Sequence, residues 1–242
     1  MKNILILLTL FSIQMSMAQP LVKVENHTLN AMDLVLFSFG MDQPISIGTI
    51  SNTGELHFNF PKDYNFLTDE VTANYMNDAA YTLFSKCDNF YDMLSEDENI
   101  KSAVGGYISL SSKDNPYEGL LFMVTDENMV PWLESDGAID AILGSYFELV
   151  YVESEFNYQG DCSATVTYTD DDPLVTTYSY NLHLNPGFNF IEYKIESVEE
   201  QNIPSMYEEN KIDKIKKPTK IAVSSSQSSA PNAKWIGKYF YN

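Results

Sequence analysis

Arginine is absent from this chain of 242 residues, and positive charge is scarce. All 14 basic residues are lysines, against 34 acidic residues, and seven of the lysines lie at or after residue 211. An acidic surface repels nucleic-acid phosphates and anionic lipids, so we expect no nucleic-acid partner. Without the forked guanidinium group, a site for phosphate or carboxylate ligands must use lysine, hydroxyl groups or backbone amides. The acidity indicates either attraction of cations and basic partners or the solubility of an exported protein.

Cysteine and histidine are also rare, with two and three residues. In an oxidising compartment, an even pair predicts a disulfide between Cys87 and Cys162. The bridge would close a loop of about 75 residues and contribute about 4 kcal/mol. The alternative is a thiol enzyme, but none of His27, His57 and His183 lies in a recognisable nucleophile motif.

Motifs that carry chemistry are missing as well. The sequence contains no His-Glu-x-x-His, no Gly-x-Ser-x-Gly and no phosphate-binding Gly-x-x-x-x-Gly-Lys. No Cys and His spacing fits a structural zinc site. We therefore predict no catalytic residues and no cofactor, apart from a weak calcium candidate.

A long hydrophobic run occurs once, at the N-terminus. Lys2 precedes an apolar stretch over residues 4–13, and the small residues Ser16 and Ala18 follow it. This order is typical of a secretory signal peptide over residues 1–18, because a spanning helix needs about twenty apolar residues. The alternatives are a permanent anchor or a buried first strand. We expect export to the periplasm, the cell surface or the medium, and no transmembrane segment.

The rest of the chain shows the alternation of β-strands. In ELHFNF, Leu56, Phe58 and Phe60 alternate with polar residues, which places His57 on the solvent face. Similar short segments recur at close spacing, separated by turn residues such as Pro186 and Gly187. The pattern predicts a mainly β protein that has either two antiparallel sandwich modules in tandem, immunoglobulin-like or prealbumin-like, or one elaborated sandwich.

Domain limits follow from composition. We predict an N-terminal module over residues 19–100, a C-terminal module over 101–200, and a basic linker with an aromatic tail over 201–242. Residues 72–85 fit either strand or helix. One short helix is predicted where three apolar residues recur at helical spacing, namely Phe90, Met93 and Leu94.

The last ten residues, AKWIGKYFYN, are rich in aromatic side chains. They either dock on the acidic body as a final strand or hold a partner or surface. In the second case, the weak binding candidates are Trp235, Tyr239 and Tyr241.

Several stretches resemble a loosely defined group of exported β-sandwich proteins of Bacteroidota, mostly of unknown function. The group closes on a Gly-Trp-Asn turn, where this chain has Gly187-Phe188-Asn189. The first module is also similar to prealbumin-like or carboxypeptidase-regulatory sandwiches. The resemblance implies a cell-envelope or secreted setting and carries over no catalytic residues. The matching stretches are TGELHFNFP, NPYEGLLFMV, FELVYVESEFNYQG and LNPGFNFIEY.

Two ligand classes remain open. Asp170, Asp171 and Asp172, with Asp161 one strand earlier, form the calcium candidate, although a hairpin turn before Pro173 explains the same residues. The 16 tyrosines and two tryptophans suit sugar stacking, although aromatic rings also fill cores. A hydrolase would need two carboxylates about 5–10 Å apart across a cleft.

These observations together predict an exported, non-catalytic binding or structural protein of the bacterial cell envelope. Its partner would be an envelope protein or a glycan. The first alternative is a carbohydrate-binding module that uses exposed Tyr or Trp side chains, and the second is a hydrolase with paired carboxylates.

Overall fold

The computed structural model describes residues 22–27, 30–37, 44–61, 67–168, 173–205, 208 and 211–240. Strands account for 54% of the chain and helices for 11%, which confirms the mainly β prediction. Residues 1–18, which are predicted to be a signal peptide, lie outside the described residues.

In the described part of the chain, thirteen strands form one hydrogen-bonded sheet. They are β1 Met32–Leu36, β2 Ile45–Ile50, β3 Leu56–Phe58, β4 Asn77–Asp78, β5 Lys101–Gly106, β6 Ile108–Ser111, β7 Gly119–Val124, β8 Gly144–Val152, β9 Phe156–Thr167, β10 Pro173–Leu184, β11 Gly187–Pro204, β12 Ile212–Ser226 and β13 Lys234–Tyr239. The helices are α1 Asp69–Tyr75, α2 Ala79–Phe84 and α3 Met129–Glu134.

Part of the sheet closes on itself. Strands pair in the order β3-β2-β1-β6-β7, and β13 pairs with the free edge of β7. The N-terminal residues complete the circuit, because Val24 bridges Trp235 of β13 while Lys23 bridges Glu55 at the start of β3. The side-chain amide of Asn26 adds two hydrogen bonds to the backbone of β13. We call this part the closed ring.

The remaining strands form an open sheet in the order β4-β5-β8-β11-β12-β10-β9. All of its neighbours are antiparallel except β10 and β12, which run parallel. β8 is apolar on both faces. Leu149 and Tyr151 join the hydrophobic cluster of the closed ring, while Val150 and Val152 join a second cluster beneath α2 and α3. The period of two along a strand thus lets β8 serve as a wall between two cores.

The two clusters do not coincide with the two predicted modules. β1, from before residue 100, pairs with β6, from after it. Each cluster also contains residues from both sides of residue 100. The module boundary predicted there is therefore wrong as a division between cores, because long-range pairing interleaves the two halves of the chain.

The predicted basic linker is also wrong. Residues 212–226 form β12, which pairs with β11 over nearly its whole length. Two of its lysines pair with acidic residues of β11, with Lys214 bound to Glu200 at 2.7 Å and Lys220 bound to Glu196 at 2.9 Å. Opposite charges across neighbouring strands support the pairing, so the basic run belongs to the body of the protein.

The helix prediction is corrected in a similar way. Residues Phe90–Asp92 form one turn of 3-10 helix, and the three α-helices lie elsewhere. The ambiguous segment 72–85 contains the end of α1 and all of α2. α1 begins where the hydroxyl of Thr68 accepts a hydrogen bond from the backbone of Val71, as is typical of a helix N-cap.

Candidate functional site

The structure confirms the predicted disulfide between Cys87 and Cys162. Cys87, just after α2, is bonded to Cys162 in β9, with their Cα atoms 5.8 Å apart. The next residue, Asp88, donates its backbone N–H to Ser163 and accepts from the backbone of Thr165. The bridge therefore holds a loop against the outer edge of β9 and covers part of an edge strand.

The calcium candidate is only partly visible. Asp161 is exposed on β9, and Asp170, Asp171 and Asp172 lie outside the described residues. β9 and β10 pair antiparallel up to Thr167 opposite Pro173. Within the described part of the chain, no group of three or more His, Cys, Asp or Glu side chains could hold a metal ion. The calcium site stays a prediction.

The aromatic tail forms β13, as the docking alternative expects. Trp235 is only 2% exposed, and its indole N–H donates to the carbonyl of Ser228 at 3.1 Å. Its ring therefore offers no exposed face to a partner. Tyr239 lies near His27, with its hydroxyl 3.2 Å from Nδ1 of the imidazole. Tyr241 lies outside the described residues.

A cavity of about 320 Å³ opens where the closed ring meets the open sheet. β7 and β8 share one pair, Val124 with Tyr146. On the other side, the β5–β8 pairing is irregular between Val104 and Gly106. The positive φ of 67° at Gly106 turns the chain from β5 into β6. The strands thus separate over a short stretch and leave a space, which we call the central cavity.

The floor of the central cavity is apolar and its mouth is polar. Buried side chains from both hydrophobic clusters form the floor: Ile108, Leu121, Phe122, Met123, Leu149, Phe190 and Trp235. At the mouth lie Lys86 just after α2, Glu148 of β8, Tyr107 between β5 and β6, and the exposed Val104. An apolar space with a few convergent polar groups is the usual composition of a small-molecule site.

At the mouth, an ion pair between Lys86 and Glu148 lies over an aromatic ring. Nζ of Lys86 lies 3.1 Å and 3.4 Å from the two carboxylate oxygens of Glu148. The same ammonium lies 4.3 Å from the centre of the Tyr193 ring, which in turn stacks on Tyr146 at 5.1 Å. An ammonium over the face of a tyrosine is held by the ring quadrupole as well as by the carboxylate.

The tyrosines around the ion pair stay protonated at ordinary pH. Burial, followed by the negative charge of Glu148, raises the pKa of Tyr146 and Tyr193 well above its usual range. Burial, again with a contribution from Glu148, raises the pKa of Tyr178 to about 12. These phenols are therefore neutral hydrogen-bonding groups and do not act as bases.

A second, open groove of about 540 Å³ lies where β10 ends and β11 begins. Neutral amide and hydroxyl side chains, His183, Phe60 and Phe188 line it, with residues 225–229 along one side. The rings of Phe60 and Phe188 lie 5.4 Å apart and are inclined by 25°. We call it the polar groove.

Catalytic pairs of acids are not found at either site. Among the described residues that line the central cavity and the polar groove, Glu148 is the single carboxylate. The hydrolase alternative, which needs two acids across a cleft, therefore has no support from these two sites.

Sequence analysis did not single out Lys86, Glu148 or Tyr107, which form the cavity mouth. They come from three separate segments, and no short motif joins them. The one available signal is scarcity, since Lys86 is one of only six lysines between residues 19 and 210.

Within the described part of the chain, no helix has the length and apolar character needed to cross a membrane. Comparisons with protein-family models, with curated proteins and with solved structures give no match for this chain.

Proposed function

We propose that the protein is an exported, non-catalytic binding protein of the bacterial cell envelope, and that the central cavity holds a small ligand. The composition of the cavity carries the proposal, because buried apolar side chains form its floor and three polar side chains converge at its mouth. Its volume of about 320 Å³ is at the lower end of the range for ligand sites.

Export is supported by two independent features. The first 18 residues have the order of a signal peptide, and the disulfide between Cys87 and Cys162 is of the kind that persists in oxidising compartments. Both agree with the envelope setting that the resemblance to exported Bacteroidota proteins implies.

Ligand binding can be tested with a neutral solvatochromic dye such as Nile red. Val104 is at the cavity mouth and 48% exposed, whereas Val175 is 47% exposed on β10 and lies away from the cavity. Val104→Trp should cover the mouth without changing the core, and Val175→Trp is the matched control. We expect one dye per chain, with the fluorescence gain lost in the first variant and kept in the second.

The proposal fails if the dye does not bind to the wild-type protein. It also fails if both tryptophan variants bind the dye as the wild type does, because the dye would then lie elsewhere on the surface. Thermal unfolding of each variant shows whether the fold is intact.

Carbohydrate binding is a second candidate, favoured by the polar groove. Sugars stack on aromatic faces and hydrogen-bond to neutral polar groups, and the nearly parallel rings of Phe60 and Phe188 lie beside such groups. By contrast, the exposed rings of Tyr81 and Tyr91 flank Phe90 at angles of 75° and 37° and form no flat platform.

A calorimetric titration with neutral oligosaccharides tests this second candidate. His183 lines the polar groove, and His57 is an exposed histidine on β3 outside it. We expect His183→Ala to weaken oligosaccharide binding and His57→Ala to leave it unchanged. Equal binding by both variants would rule out the polar groove as the site.

A further inference from the structure

We propose that the central cavity selects ligands with an apolar body and an ammonium head, and that the head takes the place of the Lys86 ammonium beside Glu148. This inference rests on the proposed function, because it specifies the ligand of the same site. The carboxylate of Glu148 and the ring of Tyr193 are the groups that would hold the head.

The ion pair itself shows that an ammonium fits there. Nζ of Lys86 meets both oxygens of Glu148 within 3.4 Å and lies 4.3 Å from the centre of the Tyr193 ring. A carboxylate combined with an aromatic face is a recurring arrangement for cationic ligands. A ligand ammonium in this position would reproduce every contact that Lys86 makes with these two groups.

Lys86 can leave this position at little cost. The side chains of Lys86 and Glu148 are 32% and 33% exposed, and ion pairs at that level of exposure contribute little stability. The long lysine side chain can rotate its ammonium into water. The exchange then replaces one cation by another beside Glu148, and burial of the ligand's apolar body on the cavity floor provides the driving force.

The charge around the mouth selects against an anionic head. Burial raises the pKa of Tyr107, and the negative charges of Asp136, Glu148 and Glu134 raise it further. The negative charges of these three acids therefore reach the mouth. Two lysines oppose them, namely Lys86 at the mouth and Lys238, which pairs with Glu134. The net charge of −20 for the whole chain adds to the repulsion of anions.

Three probes with the same apolar chain distinguish the contribution of the head group to binding from that of the chain: octylammonium, octanol and octanoate. Each is titrated calorimetrically into the full-length protein below its micelle concentration, with Val104→Trp to verify the site. We expect octylammonium to bind more tightly than octanol, because the acidic side chains around the mouth attract its charge, and octanoate to bind most weakly.

Two glutamate variants test the assigned contact. Glu148→Gln should remove the preference for octylammonium over octanol. Glu55→Gln is the matched control, because Glu55 also pairs with a lysine, Lys23, and its side chain is 32% exposed. Lys86→Met, which removes the competing ammonium, should strengthen octylammonium binding about fivefold.

The outcomes distinguish this inference from the proposed function. If octanol and octylammonium bind equally, or octanoate binds most tightly, the ammonium assignment is wrong while the binding function stands. The assignment is likewise overturned if Glu148→Gln keeps the preference for octylammonium. If none of the three probes binds to the wild type, the inference and the proposed binding function both fail.

Discussion

Replacing Trp235 by alanine tests whether the aromatic tail belongs to the folded body. The Trp235 ring is 2% exposed and lies 5.2 Å from Phe58 and 5.8 Å from Phe190 between ring centres. A buried tryptophan removes about 150–250 Å² from water, which at about 25 cal/mol per Å² corresponds to about 4–6 kcal/mol. Core Trp to Ala substitutions cost about 3–5 kcal/mol, so we expect the free energy of unfolding to fall by about 4 kcal/mol.

The assay is urea unfolding followed by far-ultraviolet circular dichroism, since the substitution also removes a fluorophore. Phe240→Ala is the control, because Phe240 comes from the same aromatic segment but is 45% exposed. It should change the free energy of unfolding by less than about 0.5 kcal/mol. A loss for Trp235→Ala as small as that for Phe240→Ala would refute the reasoning, because the tail would then contribute no core contacts.

Three further predictions concern stability. Replacing both Cys87 and Cys162 by alanine should lower the free energy of unfolding by about 4.5 kcal/mol in the chain-entropy model. A change below about 1 kcal/mol in urea unfolding would show that the disulfide does not stabilise the fold by restricting the unfolded chain. Burial lowers the pKa of His27, so this histidine binds a proton at a higher pH in the unfolded chain than in the folded one. The free energy of unfolding should therefore fall as the pH drops below about 6.5. The fall should be less steep in His27→Gln than in the wild type. Gly119→Ala would place a Cβ 2.1 Å from a backbone oxygen of β13, and it should lower the free energy of unfolding by more than about 2 kcal/mol in thermal unfolding. Gly160→Ala would meet only the hydroxyl end of a tyrosine, so its effect on the free energy of unfolding should be smaller.

Local features of the fold could be predicted from the sequence because they depend on neighbours along the chain. The alternation of Leu56 and Phe58 with His57 predicted a strand with an exposed histidine, and β3 has both. The mainly β class follows from many such segments. The disulfide could also be predicted, since a chain with two cysteines allows a single pairing.

Composition gives a wrong prediction where a charged run pairs with a distant segment. Residues 211–220 were predicted as a basic linker because five of these ten residues are lysines. In the structure, β12 lies beside the acidic β11, and Lys214 and Lys220 find Glu200 and Glu196 there. The pairing partner, which the local sequence does not show, turned a predicted linker into a strand.

The candidate site could not be predicted at all, because no single segment contains it. Lys86 follows a short helix, Glu148 lies in β8, and the cavity beneath their ion pair exists because β7 and β8 separate after one pair. The strand character, the acidity and the cysteine bridge depend on residue type and local period, so they can be inferred from the amino-acid order. Which strands meet, where the sheet opens and which lysine reaches which carboxylate depend on the folded chain, because those contacts join residues far apart in the sequence.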